Sequence, residues 1–284
     1  MCSGTVLCNV IMLPLPDRWF FMTGCQRSGT TLLRFVLECH PAVFCFDELD
    51  SYRVLACWRF EETILKQWVG FKIPRWAEQL DYDVLRDFGL PDEAKRIYHG
   101  QKILFMVRDY RDTISSMLKL PGAAVEPWVM EWAEPTLRAH MESDRNFPKP
   151  WTRELAACRG ASNYPVAVGA VYWKFKNTAL LRYAQRGYPV LAISYERLVT
   201  QPEEQLRRVC AFLGIEFTDE MLHHPAHPHR EILENGLAVG NSDPTRLIDS
   251  ASVGHWRKCL EPKDVALAQE IAGPLPDAIT PYLA

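Results

Sequence analysis

Four short runs of apolar and β-branched residues stand out along the chain, and each is followed by a polar turn. They cover residues 19–22, 69–73, 103–107 and 190–194. Most of these turns lead into a segment whose apolar residues recur at helical spacing. Strands that alternate with helices in this way are typical of α/β domains, so the pattern predicts a central parallel sheet covered by helices.

Two of the predicted helices have recognisable ends. The first is predicted over residues 30–39, because its apolar side chains follow helical periodicity and Pro41 stops it. The second is predicted over residues 202–213, where Thr200 and Glu203 have the spacing of a capping box. These ends place both helices after predicted strands, in agreement with the α/β pattern.

The pattern weakens between residues 120 and 165, where eight prolines and glycines interrupt it and three tryptophans are spread among charges. Such a stretch is more typical of a lid or a helical insertion over a pocket than of a second folded domain. A chain of 284 residues that is 48% hydrophobic can bury one large core. We therefore expect a single domain over residues 1–284 with an acceptor-binding lid at 120–165.

Composition narrows the class of protein further. A formal net charge of −3 argues against a non-specific nucleic-acid binder, which needs a basic surface. Nine scattered cysteines without a CxxC pair fit reduced thiols better than a disulfide framework or a zinc site. The start of the chain lacks the features of a secretory signal, and no run reaches the roughly 18 apolar residues of a membrane span. These features predict a cytoplasmic protein without nucleic-acid or membrane partners.

The segment GCQRSGTT, residues 24–31, follows the first predicted strand and opens the first predicted helix. Gly24 and Gly29 have the spacing of a phosphate-binding loop, in which backbone amides and the positive end of a helix dipole converge on an anion. Position 30 is a threonine, whereas ATP-binding loops carry a lysine there. Arg27, Thr30 and Thr31 supply the charge and the hydroxyl groups instead.

Other interpretations of this loop stay open at this point. It is also compatible with an ordinary glycine turn, a magnesium-dependent nucleotide kinase or NTPase, or a non-catalytic nucleotide-binding module. A kinase needs a strand-terminal aspartate for magnesium, and the candidate, Asp109, directly follows Arg108. Arg108 itself could simply form a surface ion pair with Asp109 or Asp112.

Four motifs occur together in one order: RSGTT at 27–31, HP at 40–41, VRDYRDTISSMLK at 107–119 and SYERL at 194–198. In this order the chain resembles the sulfotransferases that use 3′-phosphoadenosine 5′-phosphosulfate (PAPS), from about residue 19 to residue 258. The resemblance implies a three-layer, P-loop-like α/β fold with the PAPS site at the carboxyl ends of the strands. It also implies transfer of a sulfuryl group to a hydroxyl or, as second choice, an amine, without a metal.

The resemblance implies a set of residues that bind the donor. The glycine loop would hold the 5′-phosphosulfate, Arg108 and Ser116 the 3′-phosphate, and Tyr195 the adenine side. The final motif, SASVGHWRKCL, would close over the phosphates, although the usual glycine after Arg-Lys is Cys259 here. The implied donor-binding residues are Arg27, Ser28, Gly29, Thr30, Thr31, Arg108, Ser116, Tyr195, Ser252, Arg257 and Lys258.

For catalysis, the resemblance points to a carboxylate base and two cations. Lys72, in GFKIPRW, is similar to the Lys-x-Pro segment of tyrosylprotein sulfotransferases, and Arg27 would be the second cation. Glu48, in HPAVFCFDELD, falls at the position of the base, with Asp47 and Asp50 as alternatives. We expect a partly apolar pocket to raise the pKa of Glu48 into a range suited to taking a proton.

The segment HHPAHPH, residues 223–229, carries four histidines. Its prolines prevent a helix from pairing histidines at i and i+4, so we expect a surface loop rather than a metal site. The tryptophan-rich insertion and the absence of a signal sequence favour a small-molecule acceptor over a Golgi-type substrate. The oligomeric state cannot be predicted from these features.

Overall fold

The computed structural model describes most of the chain, and the described residues are 18–57, 66–80, 101–119, 127–144, 147–229, 236 and 242–283. Within these ranges five strands form one sheet, with the bounds β1 Trp19–Gly24, β2 Val43–Phe46, β3 Trp68–Lys72, β4 Lys102–Val107 and β5 Val190–Ser194. All neighbouring strands are parallel, in the order β2-β3-β1-β4-β5. The predicted parallel α/β architecture is confirmed.

Helices connect these strands and cover the sheet. Their bounds are α1 Thr30–Glu38, α2 Glu48–Cys57, α3 Tyr110–Lys119, α4 Glu134–Ser143, α5 Lys149–Cys158, α6 Tyr164–Gln185, α7 Tyr195–Thr200, α8 Pro202–Leu213, α9 Pro262–Ala272 and α10 Leu275–Ile279. Shorter helical turns lie at Pro74–Trp76, Val129–Ala133, Asp219–Ala226 and His255–Lys258, and the second of these is π-helical. The helices predicted over 30–39 and 202–213 are observed as α1 and α8.

Alternating side chains of the strands enter two separate cores, one on each face of the sheet. Trp19 and Phe21 of β1 face the core that α6 covers, whereas Phe20 and Met22 face the core that α1 and α8 cover. This alternation follows from the two-residue period of a strand. Helices on both faces give the three layers of the expected P-loop-like fold.

The sheet topology places a crevice at the end of β1. This strand is central, and the chain runs to β3 on one side of it and to β4 on the other. In such sheets, ligands bind outside the carboxyl ends of the strands at the switch point. The register sets Lys72 beside Met22 and Met106 beside Gly24, so the loops after β1, β3 and β4 meet at one edge.

Strand β2 is absent from the prediction. Its four residues, VFCF, lie at the edge of the sheet and pair with β3. A run of four residues is too short to show the two-residue alternation of a strand, so the sequence does not predict β2. The strand forms because β3 offers it an edge, which is a tertiary cause.

Residues 127–144 and 147–165 belong to the stretch in which we predicted an acceptor lid. They contain the π-helical turn, α4 and α5, and they pack against α6. Val129, Leu137 and Leu155 are buried in the core on that face of the sheet. The segment is therefore helical and shares the main core. The lid role and the single domain over 1–284 stay predictions.

The capping box predicted for α8 is wrong. Thr200 is the last residue of α7, and its hydroxyl donates to the carbonyl oxygen of Glu196 at 2.8 Å. The N-cap of α8 is Gln201, which makes no side-chain capping bond, and Pro202 begins the helix. Proline suits this first position because it has no N–H to satisfy and its φ is already helical.

The predicted surface loop describes only part of the histidine segment, because His223 is exposed but two other histidines are buried. The side chains of His224 and His229 are buried against Phe35 of α1, and Nδ1 of His229 lies 3.1 Å from a carboxylate oxygen of Glu38. Burial, together with the neighbouring His229, lowers the pKa of His224 to about 4. Within the described residues, no group of three or more histidine, cysteine, aspartate or glutamate side chains is arranged to hold a metal ion.

A buried ion pair fixes the turn after β3 onto α6. Lys176 Nζ donates to the carboxylate of Glu78 and, at 2.8 Å, to the carbonyl oxygen of Arg75. His140 Nε2 lies 3.3 Å from the same carboxylate. Burial alone would raise the pKa of Glu78, but Lys176 and His140 outweigh it and lower the pKa to about 2. The Glu78 carboxylate is therefore ionised at neutral pH.

Replacement of Glu78 by glutamine tests this anchor. We expect Glu78→Gln to lower the free energy of unfolding by about 3 kcal/mol at neutral pH, because it leaves the Lys176 ammonium buried and unpaired. The advantage of the parent protein should be complete above the ordinary glutamate pKa and should shrink as the pH falls towards 2, since the folded pKa is depressed.

Denaturant unfolding of both proteins from pH 7 to pH 3 measures this difference. The control is Glu203→Gln, which removes an exposed pair with Arg207 and should have little effect. An equally small loss for both variants would contradict an anchoring role for Glu78.

Candidate active site

Three residues of the loop after β1 have left-handed backbone conformations, with φ of 132° at Gly24, 73° at Arg27 and 94° at Gly29. A Cβ on Gly24 would lie 2.2 Å from the carbonyl oxygen of Met106, and one on Gly29 would lie 2.5 Å from a ring carbon of Tyr195. Packing as well as φ therefore requires glycine at both positions. The loop turns tightly over the end of β1 and leads directly into α1.

The amino end of α1 faces the same place. The helix begins at Thr30, and its N-cap residue, Gly29, has no side chain to cap the first N–H groups. These groups carry the positive end of the helix dipole. Thr30 and Thr31 line the cavity beside the loop. This geometry is typical of helix N-termini that bind phosphate.

Two guanidinium groups converge on this cavity. Arg27 Nε donates to Ser116 Oγ at 3.1 Å, and Arg108 donates to the carbonyl oxygens of Arg27 at 3.1 Å and Ser252 at 2.9 Å. The Arg108 guanidinium also lies 4.5 Å from the centroid of the Tyr195 ring. Partial burial and the nearby Arg108 lower the pKa of Arg27 to about 10. Two like charges this close favour an anion between or beside them.

The cavity has a volume of about 520 Å³. Its lining is Arg27, Gly29, Thr30, Thr31, Leu32, Phe35, Arg108, Asp112, Ser115, Ser116, Lys119, Tyr195, Ser242, Asp243, Arg246, Leu247, Asp249, Ser252 and His255. At its glycine loop, Ser28 Oγ and Arg108 Nε are buried and have no hydrogen-bond partner in the described protein. Buried donors of this kind are costly unless a ligand satisfies them, so these residues fit a phosphorylated ligand.

The structure brings together eight of the predicted donor-binding residues in this lining: Arg27, Gly29, Thr30, Thr31, Arg108, Ser116, Tyr195 and Ser252. Ser28 is fully buried under the loop. Arg257 and Lys258 are exposed on the 255–258 turn and lie outside the lining, and the Arg257 guanidinium lies 4.7 Å from the centroid of the Trp256 ring. Their assignment to the donor stays a prediction.

Asp112 holds the final motif, SASVGHWRKCL, beside the cavity. Its carboxylate, which is buried, accepts hydrogen bonds from the backbone N–H groups of Gly254 at 2.7 Å and Trp256 at 2.9 Å. Asp109 pairs instead with Arg111. Among the described residues neither aspartate forms an ion pair with Arg108, and the guanidinium of Arg108 donates to the carbonyl oxygens of Arg27 and Ser252. The simple surface ion pair considered for Arg108 is therefore not what the structure shows.

Sequence reasoning missed several lining residues, among them Lys119, Arg246 and His255. Lys119 is the last residue of the VRDYRDTISSMLK motif, and its Nζ lies 2.9 Å from Nδ1 of His255. Arg246 pairs with Asp249 at 2.5 Å, and both residues line the cavity. The spacing of Lys119 after Arg108 was a usable signal, whereas no local pattern marks Arg246.

The predicted base and its cation form a buried pair near this edge of the sheet. Lys72 Nζ, at the end of β3, lies 2.9 Å from Glu48 Oε2, and Arg75 Nε lies 3.1 Å from Glu48 Oε1. The side chains of Lys72 and Glu48 are 3% and 9% exposed. The charge of Glu48 acts to raise the pKa of Arg27, so the Glu48–Lys72 pair interacts electrostatically with the glycine loop.

The expected rise in the pKa of Glu48 is wrong. Burial would raise this pKa, but the charges and hydrogen bonds of Lys72 and Arg75 outweigh burial and lower it. The carboxylate is therefore ionised at neutral pH. Of the two alternatives, Asp47 accepts the backbone N–H of Asp50 at 2.7 Å, and Asp50 pairs with Arg53 at 2.9 Å. Both aspartates thus serve the start of α2.

Comparison with known proteins agrees with this site. A family model described as "Sulfotransferase domain" matches residues 17–275. The chain therefore belongs to the sulfotransferase family, and it is an enzyme of that family.

Among curated proteins, protein-tyrosine sulfotransferase A of Caenorhabditis elegans is 24% identical over 90% of this chain and 65% of its own length. Protein-tyrosine sulfotransferase 1 of Danio rerio is 27% identical over 72% of this chain and 55% of its own length. The chain thus spans less than two thirds of either relative.

Solved structures show the same fold. The sulfotransferase domain of the Synechococcus olefin synthase has a TM-score of 0.54 and 18% identity, covering 92% of this chain and 96% of that one. A mouse sulfotransferase complexed with PAP has a TM-score of 0.52 and 18% identity, covering 95% and 88%. At this level of identity the likeness concerns the fold.

The predicted cytoplasmic location is wrong. The named relatives are protein-tyrosine sulfotransferases, a type of enzyme that acts in the Golgi lumen. Among the described helices, none combines the length and the apolar character needed to cross a bilayer.

Substitution of Gly29 tests the loop geometry. We expect Gly29→Ala to abolish binding of adenosine 3′,5′-bisphosphate (PAP), because the new methyl group would overlap the Tyr195 ring and force the loop to move. Gly187→Ala is the matched control, since φ is also positive there (73°) and the site for a Cβ is open. Isothermal titration calorimetry with PAP measures the effect. Unchanged affinity in Gly29→Ala would contradict this view of the loop.

Proposed function

We propose that the protein transfers a sulfuryl group from PAPS to a hydroxyl group, with the donor held in the cavity at the carboxyl ends of β1 and β4. The observation that carries this proposal is the convergence of Arg27, Arg108 and the open amino end of α1 on one cavity. When bound, PAPS supplies the sulfuryl group and leaves as PAP. The mouse structure with PAP has the same fold, which supports this choice of nucleotide.

The residues of the cavity suit the two ends of such a nucleotide. The N–H groups of the glycine loop and α1, with Thr30 and Thr31, would bind the 5′-phosphosulfate. Arg108, whose Nε has no hydrogen-bond partner among the described residues, would bind the 3′-phosphate together with Ser116. Tyr195 packs on Gly29 and Arg108, so it would also shape the wall beside the nucleoside.

Glu48 is the proposed base, and Lys72 and Arg27 are the proposed cations. A base must take the proton of the acceptor hydroxyl while positive charge stabilises the bridging oxygen of the leaving group. Glu48 is ionised because Lys72 and Arg75 hold its pKa down, which makes it available but weak as a base. A weak base suits an acceptor that releases its proton readily, such as a phenol with a pKa of about 10.

We infer that this phenol is a tyrosyl side chain of a protein or peptide. Curated relatives are named protein-tyrosine sulfotransferases, which favours this acceptor over the small molecule that we expected from the tryptophan-rich insertion and the lack of a signal sequence. Leu49 and Trp132 offer exposed apolar surface, 54% and 44% exposed, and Leu49 directly follows Glu48. Such surface is typical of contact with a larger partner.

A magnesium-dependent kinase is the weaker candidate. Its magnesium ligand would be Asp109, but Arg111 Nε and Nη2 donate to the two carboxylate oxygens of Asp109 at 3.0 Å and 2.5 Å. The threonine at position 30 also replaces the lysine that reaches the β- and γ-phosphates. A non-catalytic module would bind PAP but give no turnover.

Two substitutions separate binding from chemistry. We expect Arg108→Ala to weaken PAP binding roughly 10- to 100-fold, because it removes a charge-assisted hydrogen bond. Glu48→Gln should leave PAP affinity unchanged and lower kcat about 10² to 10⁴-fold, because the amide cannot take a proton. Calorimetry and release of PAP from PAPS measure the two effects. Equal, small effects of both changes would count against the assignment.

An acceptor panel tests the substrate class. With PAPS as donor, we expect a tyrosyl peptide to have a higher kcat/KM than small phenols, alcohols, amines or sugars. The matching peptide with phenylalanine in place of tyrosine should be inert, because the phenolic oxygen is the proposed nucleophile. Faster turnover of a small phenol or an amine would contradict the tyrosyl acceptor but would still agree with the proposed PAPS site.

A further inference from the structure

Arg75 connects the proposed base with the helical segment that follows α3. Its Nε donates to Glu48 Oε1 at 3.1 Å. Its guanidinium lies 5.6 Å from the ring centroid of Tyr52 and 5.4 Å from that of Trp132. One side chain thus contacts a carboxylate at the start of α2, an aromatic ring of the same helix, and a ring of the π-helical turn Val129–Ala133.

The backbone of Arg75 is fixed on both sides. Its N–H donates to the hydroxyl of Tyr52 at 2.8 Å, and its carbonyl oxygen accepts Nζ of Lys176 at 2.8 Å. Lys176 in turn belongs to the buried pair with Glu78. The side chain is therefore projected from a rigid turn towards Glu48.

The two cations that hold Glu48 have different surroundings. Lys72 is 3% exposed and binds Oε2 from inside the protein, whereas Arg75 is 46% exposed and binds Oε1 from the solvent side. Arg75 is therefore the solvent-exposed member of the two cations that hold the carboxylate. Within the described residues Glu48 is faced by Lys72 of β3, Arg75, Arg27 of the glycine loop and Tyr52.

Trp132 is well placed to report the position of the helical segment. Val129 and Ala133, at the ends of its turn, are buried in the core, while Trp132 itself is 44% exposed and points its ring at Arg75. A π-helical turn is rare and occurs frequently at functional sites. A guanidinium that lies over two aromatic rings is also restricted in orientation.

We propose that Arg75 is a positioning residue that orients the Glu48 carboxylate towards the acceptor and, through its stacking on Trp132, links that orientation to the π-helical turn. This inference rests on the proposed function, in which Glu48 is the base. Loss of Arg75 removes one of the two donors that fix the carboxylate and one of the two cations that oppose its burial. Lysine retains the charge but not the planar stack, so it should restore the role only in part.

The test measures Glu48 directly and needs no acceptor. The carboxyl carbon of Glu48 is followed by ¹³C NMR over a pH titration of glutamate-labelled protein, with Glu48→Gln to assign the signal. We expect the pKa of Glu48 to rise in Arg75→Met, because burial is then opposed by one cation fewer. Arg75→Lys should lie between the parent and Arg75→Met.

Trp132 variants test the link to the π-helical turn. Trp132→Leu should move the Glu48 titration in the same direction as Arg75→Met but by less, and Trp132→Phe should leave it near the parent value because a ring remains. Arg207→Met is the matched control, since Arg207 also pairs with a glutamate and lies 4.3 Å from the centroid of the Phe217 ring, far from Glu48 in the chain. It should leave the titration unchanged.

Kinetics with PAPS and a tyrosyl peptide give the second readout. In Arg75→Met the acidic limb of the kcat/KM profile should move to higher pH, following the Glu48 titration, while PAP affinity stays that of the parent. Parent-like titration and profile in Arg75→Met would overturn the inference and leave an ordinary surface ion pair. A parent protein that does not bind PAP would instead refute the proposed function. Failure of the inference and failure of the proposed function are therefore distinguishable. If Arg75→Met does not fold, Arg75→Lys and Trp132→Leu give the same decision.

Discussion

The convergence of Arg27 and Arg108 at the end of the central strand is the interaction on which the rest of the site depends. Arg108 follows β4 and donates to the backbone of the glycine loop, which fixes the loop's shape as well as its charge. The same guanidinium donates to the backbone of Ser252 and so draws the last motif over the cavity. The two guanidinium groups repel each other, and a bound anion would relieve this repulsion.

The register of the sheet extends this arrangement to the second half of the site. Because Lys72 pairs with Met22 of β1, the carboxyl ends of β1 and β3 lie side by side, and the Glu48–Lys72 pair lies near the loop that carries Arg27. Glu48 influences the pKa of Arg27 for the same reason. In the proposed mechanism, the charges that bind the donor therefore also influence the group that removes the proton.

The sequence was sufficient to predict the parallel sheet, α1, the glycine loop and eight of the nineteen residues that line the cavity, because these depend on local periodicity and on motifs with fixed spacing. The sequence did not predict the features that depend on contacts between distant segments of the chain. The short strand β2 needs the edge of β3, the burial of His224 needs Phe35 of α1, and Arg246 reaches the cavity without any local pattern. The pKa of Glu48 was predicted in the wrong direction because Lys72 and Arg75 lie 24 and 27 positions away along the chain, so their contacts with the carboxylate are visible only in the fold.

Calorimetric titration of the protein with PAP and with ATP, each in the presence and absence of Mg²⁺, tests the central claim most directly. The account predicts that PAP binds at one site per chain, with the same affinity whether or not Mg²⁺ is present. Tight ATP binding that requires Mg²⁺, with no heat from PAP, would contradict it.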